Sequence, residues 1–177
     1  MTLRYVPLAQ QGDDVRKTQT LFETAFPEDE RPPFSMMLSW NHDTFYGVYL
    51  EDEYVALVDL ILFKDMVYVF FLAIEERCRG QGIGSQILGD LKKEYPDRRI
   101  YLLAEELGSQ YPDNPTRERR LRFYERNGFL PTGDTVLEFG VRYLLLCHGG
   151  RVTKSEFVET MASLIGEENA KRFYSHV

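Results

Sequence analysis

Cysteine and histidine are scarce in this chain, and their scarcity excludes two kinds of site. There are two cysteines, Cys78 and Cys147, and three histidines, His42, His148 and His176. Two cysteines form neither a disulfide framework nor a four-cysteine zinc site. The histidines lack the short spacings of a metal-binding motif. We therefore predict no metal, and a reducing compartment, the cytoplasm, as the location.

Positive charge and long apolar runs are also limited. The 21 Lys and Arg residues face 28 Asp and Glu residues, which gives a net charge of −7. An acidic chain is poorly suited to bind nucleic acid or anionic membranes. The N-terminal residues lack the apolar core of a signal peptide, and the longest apolar run, Met66–Ile74, is too short to cross a bilayer as a helix. We predict neither a nucleic-acid partner nor a membrane partner.

The 177 residues suffice for one α/β domain with a packed core. Three β-rich runs joined by short polar links predict an antiparallel meander, and the third run is apolar enough to lie in the middle of a sheet. A helix, a strand, another helix and a last long strand should follow. The predicted ranges are Phe45–Leu50, Tyr54–Phe63 and Met66–Ile74 for the meander, Ile83 to before Pro96, Arg99–Glu105, Arg117–Asn127 and Val136–Cys147.

The pattern changes after residue 150. Thr153 and Glu156 have the spacing of a helix capping box. An apolar stripe at helical spacing follows, formed by Phe157, Met161, Leu164 and Ile165. We predict a domain over residues 1–150 and a helical appendage over residues 151–177. The stripe packs either on the domain or on a second subunit, so a homodimer is one of two alternatives.

A glycine-rich turn joins the central strand to the next helix. Its sequence is Arg79-Gly80-Gln81-Gly82-Ile83-Gly84-Ser85. Glycines permit positive φ, and the free N–H groups of a helix's first turn attract anions. A dipole alone contributes only ~0.3–1 kcal/mol, so a diphosphate would also need several N–H bonds and an arginine, Arg77 or Arg79.

Several interpretations of this turn compete. A phosphate-binding P-loop requires a lysine after its last glycine, and Ser85-Gln86 supplies none. A dinucleotide-binding fold would place the glycines at its first strand-to-helix turn, with further parallel strands and a third glycine where Ser85 stands. The simplest alternative is a turn that only connects strand and helix.

The spacing Arg79-x-x-Gly82-x-Gly84 resembles the acetyl-coenzyme A pyrophosphate loop of the GNAT N-acetyltransferase superfamily. A second segment about forty residues later, from Phe123 to Phe129, resembles the F-Y-x-x-x-G-F motif of the same family. The resemblance implies an α/β fold of the α+β kind, with a mixed, mostly antiparallel central sheet flanked by helices. It also implies that acetyl-coenzyme A is the acetyl donor and that an amine, on a small molecule or a protein, is the acceptor.

The resemblance further implies roles for particular residues. Tyr124 would act as the general acid that protonates the coenzyme thiolate as it leaves. The backbone of the strand end would bind the pantetheine arm, and the turn would bind the diphosphate. The implied coenzyme-binding residues are Leu72, Ala73, Ile74, Arg79, Gly80, Gln81, Gly82, Ile83, Gly84 and Ser85.

An amine acceptor must also lose a proton. An alkylamine of pKa near 10.4 is mostly protonated at pH 7, so exposing its lone pair costs ~4–5 kcal/mol. Glu105 ends a predicted strand and Glu106 follows it, so either side chain is placed to act as the base, directly or through water, and Glu105 is our candidate. The plainer alternative for Glu105 is a solvated strand end. For the whole chain, the alternative to an enzyme is a non-catalytic acetyl-coenzyme A sensor or a partner-binding module.

One departure from the family motif concerns the helix before Tyr124. Many relatives carry N-x-x-A where this chain has Arg117 and Arg120. Residues 117–126 hold five arginines against two glutamates. This basic patch is either a solvated helix with Glu118–Arg122 pairing or a binding site for coenzyme phosphates.

Overall fold

The computed structural model describes residues 2–8, 12–40, 43–138 and 140–174, so His42 and His176 lie outside the described residues. The strands are β1 Leu3–Pro7, β2 Phe45–Leu50, β3 Glu53–Phe63, β4 Met66–Ile74, β5 Arg99–Glu105, β6 Leu130–Glu138 and β7 Val141–His148. The helices are α1 Asp13–Ala25, α2 Phe34–Ser39, α3 Ile83–Glu94, α4 Asn114–Arg126, α5 Lys154–Ile165 and α6 Glu167–Tyr174.

The seven strands form one sheet in the order β1-β2-β3-β4-β5-β7-β6. The β1–β2, β2–β3, β5–β7 and β6–β7 pairs are antiparallel. Strand β4 is buried at seven of its nine positions, as its apolar sequence predicts. The predicted fold, a mostly antiparallel sheet flanked by helices, is confirmed.

Backbone contacts group the described residues into two compact units. The first unit holds the residues up to Ile61 together with Val69–Glu94. Its core includes Phe22 of α1, whose ring lies 4.9 Å from that of Phe71. Helix α3 contributes the fully buried Ile87 and Leu88. With Ile83 and Leu91, which are also buried, they form one apolar face at helical spacing, and this face fixes the orientation of α3 on the core.

The second unit holds Leu62–Tyr68 and the described residues from Tyr95 onwards. The prediction of one long strand over Val136–Cys147 is wrong, because two strands, β6 and β7, occupy this region. They pair from Glu138 opposite Val141, and Gly140 in the connecting turn has φ +77°. Glycine adopts this conformation at little cost, and it lets the chain reverse within a segment whose many strand-forming residues otherwise suggest continuous extension.

Helix α5 begins with the predicted capping box. The Thr153 hydroxyl accepts from the Glu156 N–H, and the Glu156 carboxylate accepts from the Thr153 N–H. Phe157 and Met161 are almost fully buried within this chain, so the stripe packs on its own second unit. A division between residues 150 and 151, and a homodimer, stay predictions.

Arg99 at the start of β5 forms hydrogen bonds to three other segments of the second unit. Its guanidinium donates to both oxygens of Asp65, at 2.7 and 2.8 Å. It also donates to Glu156 at 2.9 Å and to the Arg151 carbonyl at 2.7 Å. The turn between β3 and β4 and the first turn of α5 are therefore held by one planar cation, which suits bidentate carboxylate binding.

A carboxylic acid is buried in the second unit. Glu138 at the end of β6 is only 7% exposed. Its oxygens accept from the Tyr174 hydroxyl at 3.0 Å and the Tyr68 hydroxyl at 3.5 Å. Burial raises the pKa of Glu138 to about 7, and the two tyrosine hydrogen bonds counteract this only in part.

We expect this carboxyl to make the protein less stable as pH rises. Because the pKa of Glu138 is higher in the folded chain than its ordinary value of 4.5, the folded state binds the proton more tightly. The free energy of unfolding should therefore decline from pH 4.5 through 7, by about 2–3 kcal/mol, and then level off. Urea unfolding of Glu138→Gln should lack this component, with the largest gain over the parent near pH 8.

Glu159→Gln is the matched control, because Glu159 lies on the exposed surface and pairs with Lys64 at 2.6 Å. It should change stability by less than about 1 kcal/mol at every pH. Equal pH profiles for the parent and Glu138→Gln would contradict the prediction.

Candidate functional site

The glycine-rich turn lies in the first unit, between β4 and α3. A 3₁₀ turn, Glu76–Cys78, precedes it. Gly80 and Gly82 have φ of +76° and +84°, so both adopt the left-handed conformation that glycine favours. A Cβ built on either glycine would meet no atom within 4 Å. These glycines are therefore needed for the path of the backbone, and the space beside them is open.

Helix α3 points its first turn into this segment. The Gln86 N–H donates to the Gly82 carbonyl at 2.9 Å, which sets the start of the helix. The amides of the first turn, including those of Ile83, Gly84 and Ser85, have no partner one turn earlier within the helix. Ile83 is 1% exposed and anchors the turn in the core. The anchored turn presents several N–H donors and the positive end of a 12-residue helix.

The two arginines beside the turn differ in how free their guanidinium groups are to bind an anion. Arg77 forms an ion pair with Glu53 and donates to the Tyr54 carbonyl at 2.9 Å. Arg79 is exposed and donates through Nε to the Ile74 carbonyl at 3.2 Å. This bond holds the base of the Arg79 guanidinium at the end of β4. Arg79 is thus better placed than Arg77 to bind an anion at the turn.

The remaining predicted coenzyme-binding residues occupy this same segment. Leu72, Ala73 and Ile74 form the end of β4, and Ala73 is buried. Gln81 is exposed and its amide donates to the Arg77 carbonyl at 3.0 Å. The structure thus brings residues 72–74 and 79–85 together in one stretch of the first unit. Their binding roles stay predictions.

Tyr124 lies on α4 in the second unit and is 9% exposed. Its carbonyl accepts from the Asn127 and Phe129 N–H groups, at 3.0 and 3.1 Å. Gly128, at φ +79°, makes this tight helix ending feasible. The glycine of the F-Y-x-x-x-G-F motif therefore has a structural role, which is to allow α4 to end at this position, in addition to any chemical role of the motif. Burial raises the pKa of Tyr124 to about 12, while Arg120 acts to lower it and Glu105 to raise it.

Glu105 is not a solvated strand end. Its side chain is 12% exposed, and its Oε1 forms an ion pair with Nη1 of Arg120. Arg120 is four residues before Tyr124, so the two side chains share one face of α4. The structure thus brings together the two residues predicted to be catalytic, Glu105 and Tyr124, with an arginine that both of them influence. In the sequence, Arg120 is distinguished as a departure from the family motif and as a member of the basic patch at residues 117–126, and neither feature indicates its pairing with Glu105.

The arginines of the basic patch on α4 are largely engaged in ion pairs and hydrogen bonds with other groups of this chain. The side chain of Arg117 is 10% exposed, and Nε lies 3.0 Å from both oxygens of Asp113. Arg117 also donates to the Glu106 carbonyl at 3.1 Å and stacks over the ring of Tyr111 at 3.9 Å. Arg117 therefore fixes the segment between β5 and α4.

The expected Glu118–Arg122 pairing is confirmed at 3.2 Å. These contacts favour the structural interpretation of the patch over phosphate binding.

A candidate acceptor region lies in the first unit. The acidic residues Glu28 and Asp29 are exposed on a 3₁₀ turn before α2. Trp40 at the end of α2 stacks on Phe70, with 6.1 Å between ring centroids. A cavity of about 70 Å³ is lined by Pro7, Leu8, Met37, Leu38, Trp40, Asp43 and Phe45. A carboxylate beside aromatic rings is a combination that suits a cationic amine.

Within the ranges that the structure describes, the His, Cys, Asp and Glu side chains form no group of three that could hold a metal ion. Of the helices in those ranges, none is long and apolar enough to cross a membrane.

Comparison with protein families places these features in context. The model of the Acetyltransferase (GNAT) family matches residues 15–129, which include the glycine-rich turn, Glu105 and the Tyr124 motif. The curated protein "Putative acetyltransferase YjbC" of Bacillus subtilis (strain 168) is 34% identical over 67 residues. That match covers 38% of this chain and 32% of the relative, so the chain corresponds to about a third of its length.

Solved structures share the fold. A "putative acetyltransferase from GNAT family" of Bacteroides thetaiotaomicron superposes with a TM-score of 0.72 at 19% identity, covering 93% of this chain and 98% of that one. An aminoglycoside 6'-N-acetyltransferase complexed with coenzyme A gives a TM-score of 0.63 at 16% identity, over 86% and 100% of the two chains. At these identities the likeness concerns the fold.

Proposed function

This chain belongs to the acetyltransferase (GNAT) family, and on that premise we propose that it transfers the acetyl group of acetyl-coenzyme A to an amine. The observation that carries the proposal is the turn at residues 79–85, where two left-handed glycines leave open space beside the first turn of α3. A diphosphate is the part of acetyl-coenzyme A that such a turn suits. The fold neighbour complexed with coenzyme A supports the same assignment.

In this proposal the first unit binds the donor substrate. The amides of Ile83, Gly84 and Ser85, with those of the preceding turn, donate to the diphosphate oxygens. Arg79 adds a charge-assisted hydrogen bond, since its guanidinium is exposed and anchored to the Ile74 carbonyl. The end of β4, residues 72–74, binds the pantetheine arm through backbone groups.

Isothermal titration calorimetry with coenzyme A and with acetyl-coenzyme A tests the donor site. Arg79→Met should weaken binding about tenfold, because hydrogen bonds to charged groups contribute ~1.5–3 kcal/mol and Arg79 is partly screened by solvent. Arg77→Met is the matched control, since Arg77 is engaged with Glu53 and Tyr54 and should leave affinity nearly unchanged. A protein that binds neither form of the coenzyme would rule out the proposal.

The chemistry is a direct transfer in a ternary complex. The amine nitrogen attacks the thioester carbonyl, the C–N bond forms, and the C–S bond breaks. Tyr124 donates its hydroxyl proton to the departing sulfur. Glu105 accepts the amine proton, directly or through water, on Oε2, since Oε1 is engaged with Arg120. After each transfer Tyr124 has lost a proton and Glu105 has gained one. Solvent must therefore return a proton to Tyr124 and take one from Glu105 before the next turnover.

The acceptor in this proposal is an amine on a small molecule or a protein. The acidic turn at Glu28–Glu30 and the cavity beside Trp40 and Asp43 support a cationic acceptor. A turnover screen that follows coenzyme release over polyamines, aminoglycosides, amino acids and peptides identifies the class. Tight coenzyme binding without turnover across the panel would favour the alternative function, an acetyl-coenzyme A sensor.

A further inference from the structure

The ion pair between Arg120 and Glu105 occupies the position where the family motif is broken. Glu105 lies on β5, where its backbone pairs with Tyr143 of β7. The next residue continues the sheet contact, because the Glu106 N–H donates to the Arg142 carbonyl at 2.9 Å. Glu105 therefore has a fixed backbone, and its carboxylate can hold a flexible arginine in one orientation.

Arg120 is held beside Tyr124 on α4. The two residues are one helical turn apart, which places their side chains on the same face. The Tyr124 side chain is buried, so a nearby charge acts on its hydroxyl with less screening than on the surface. Arg117, one turn earlier, is occupied by Asp113, the Glu106 carbonyl and the Tyr111 ring. Arg120 is thus the arginine of this face that is directed to Glu105.

We propose that Arg120, oriented by Glu105, is a positioning residue that stabilises the negative charge on Tyr124 after its hydroxyl has protonated the coenzyme sulfur. In this step the O–H bond of Tyr124 breaks, the S–H bond forms, and a phenolate is left behind. A buried phenolate without a cation is costly, which makes the phenol a weak acid. The guanidinium offsets part of that cost. The inference rests on the proposed function of Tyr124.

The direction of the electrostatic influence agrees with this role. Burial is the largest influence on the Tyr124 hydroxyl and disfavours its ionised form, and the Arg120 charge is the second influence and favours it. Glu105 acts in the opposite sense and is the weakest of the three. Glu105 therefore orients the cation without cancelling it, so the pair has a net effect on the phenol.

A double-mutant cycle in kcat tests whether Arg120 acts through Tyr124. Arg120→Met should lower kcat about fivefold with little change in KM, since a half-exposed charge contributes modestly. Arg120→Lys should retain most of the rate. In the Tyr124→Phe background, Arg120→Met should have no further effect. Arg122→Met, which removes an equally charged side chain from the same helix, should leave kcat unchanged.

A loss that persists undiminished in the Tyr124→Phe background would overturn the inference, because Arg120 would then act only by joining α4 to β5. A full rate in Arg120→Met with an impaired Tyr124→Phe would overturn it as well. In that second case the proposed role of Tyr124 would still stand, so the two failures are distinguishable.

A titration that needs no turnover gives an independent readout. The chain is labelled with 3-fluorotyrosine, whose phenol is more acidic, and the ¹⁹F resonance of position 124 is assigned by its absence in Tyr124→Phe. Arg120→Met should raise the pKa at this position by about one unit, and Arg122→Met should leave it unchanged. An unchanged pKa at position 124 in Arg120→Met would overturn the inference whether or not the protein transfers acetyl groups.

Discussion

Replacing Tyr124 with Phe should lower kcat about 100-fold, near the low end of the range for general acid catalysis. The thiolate of coenzyme A is a fair leaving group, so a phenolic acid contributes less here than it would for an alkoxide. The substitution removes one oxygen from a side chain that is 9% exposed and leaves its ring in place. In the proposed mechanism the hydroxyl acts only as the C–S bond breaks, so KM should change little.

Steady-state kinetics at several pH values measures the size of this defect and its pH dependence. The pKa of Tyr124 is raised to about 12, so the residue stays protonated through neutral and moderately alkaline pH. We therefore expect the defect of Tyr124→Phe to be nearly constant from pH 6 to 9.

Tyr111→Phe is the matched control, since its hydroxyl donates to Glu106 at 3.3 Å in the segment before α4. It should keep nearly the full rate. A Tyr124→Phe protein with undiminished turnover at every pH would remove this residue from the proposed mechanism.

Replacing Phe157 with Ala should cost about 3–5 kcal/mol of unfolding free energy, the range for deleting a buried phenylalanine ring. Phe157 of α5 is completely buried. Its ring meets those of Tyr68 and Tyr174 edge-on, with centroids 5.8 and 5.3 Å apart. Deleting it would leave a cavity beside the buried Glu138, whose hydroxyl donors are the same two tyrosines.

Urea unfolding at constant pH measures this loss. Phe173→Ala is the matched control, because Phe173 of α6 is 60% exposed and its removal should change stability by less than about 0.5 kcal/mol. Similar losses from both substitutions would mean that α5 is not held by burial of its apolar face.

The parts that could be predicted from the sequence are those with a local physical cause. The capping box at Thr153 and Glu156 is specified by spacing alone and is present. The apolar sequence of β4 predicts a strand buried on both faces, and it is. The fold class and the family followed from two short motifs, which the family match over residues 15–129 confirms.

The parts that could not be predicted depend on long-range contacts or on a single turn. The hairpin between β6 and β7 could not be predicted because one glycine conformation divides a segment that is otherwise rich in strand-forming residues. The pairing of Glu105 with Arg120 joins the end of a strand to a helix 15 residues later, and no periodicity indicates it. The sequence indicates the burial of Glu138 only weakly. Side chains alternate between the two faces of a strand, so Glu138 lies on the same face of β6 as the buried Val136.

The contacts of the β3–β4 turn have a consequence for the order in which the chain folds. Lys64 pairs with Glu159, which lies 95 residues later in the sequence, and Asp65 pairs with Arg99, which lies 34 residues later. Closing such long loops costs chain entropy before any contact repays it, and folds rich in distant contacts form slowly. During synthesis Asp65 can therefore be paired once β5 has been made, whereas Lys64 has no Glu159 to pair with until α5 has emerged from the ribosome.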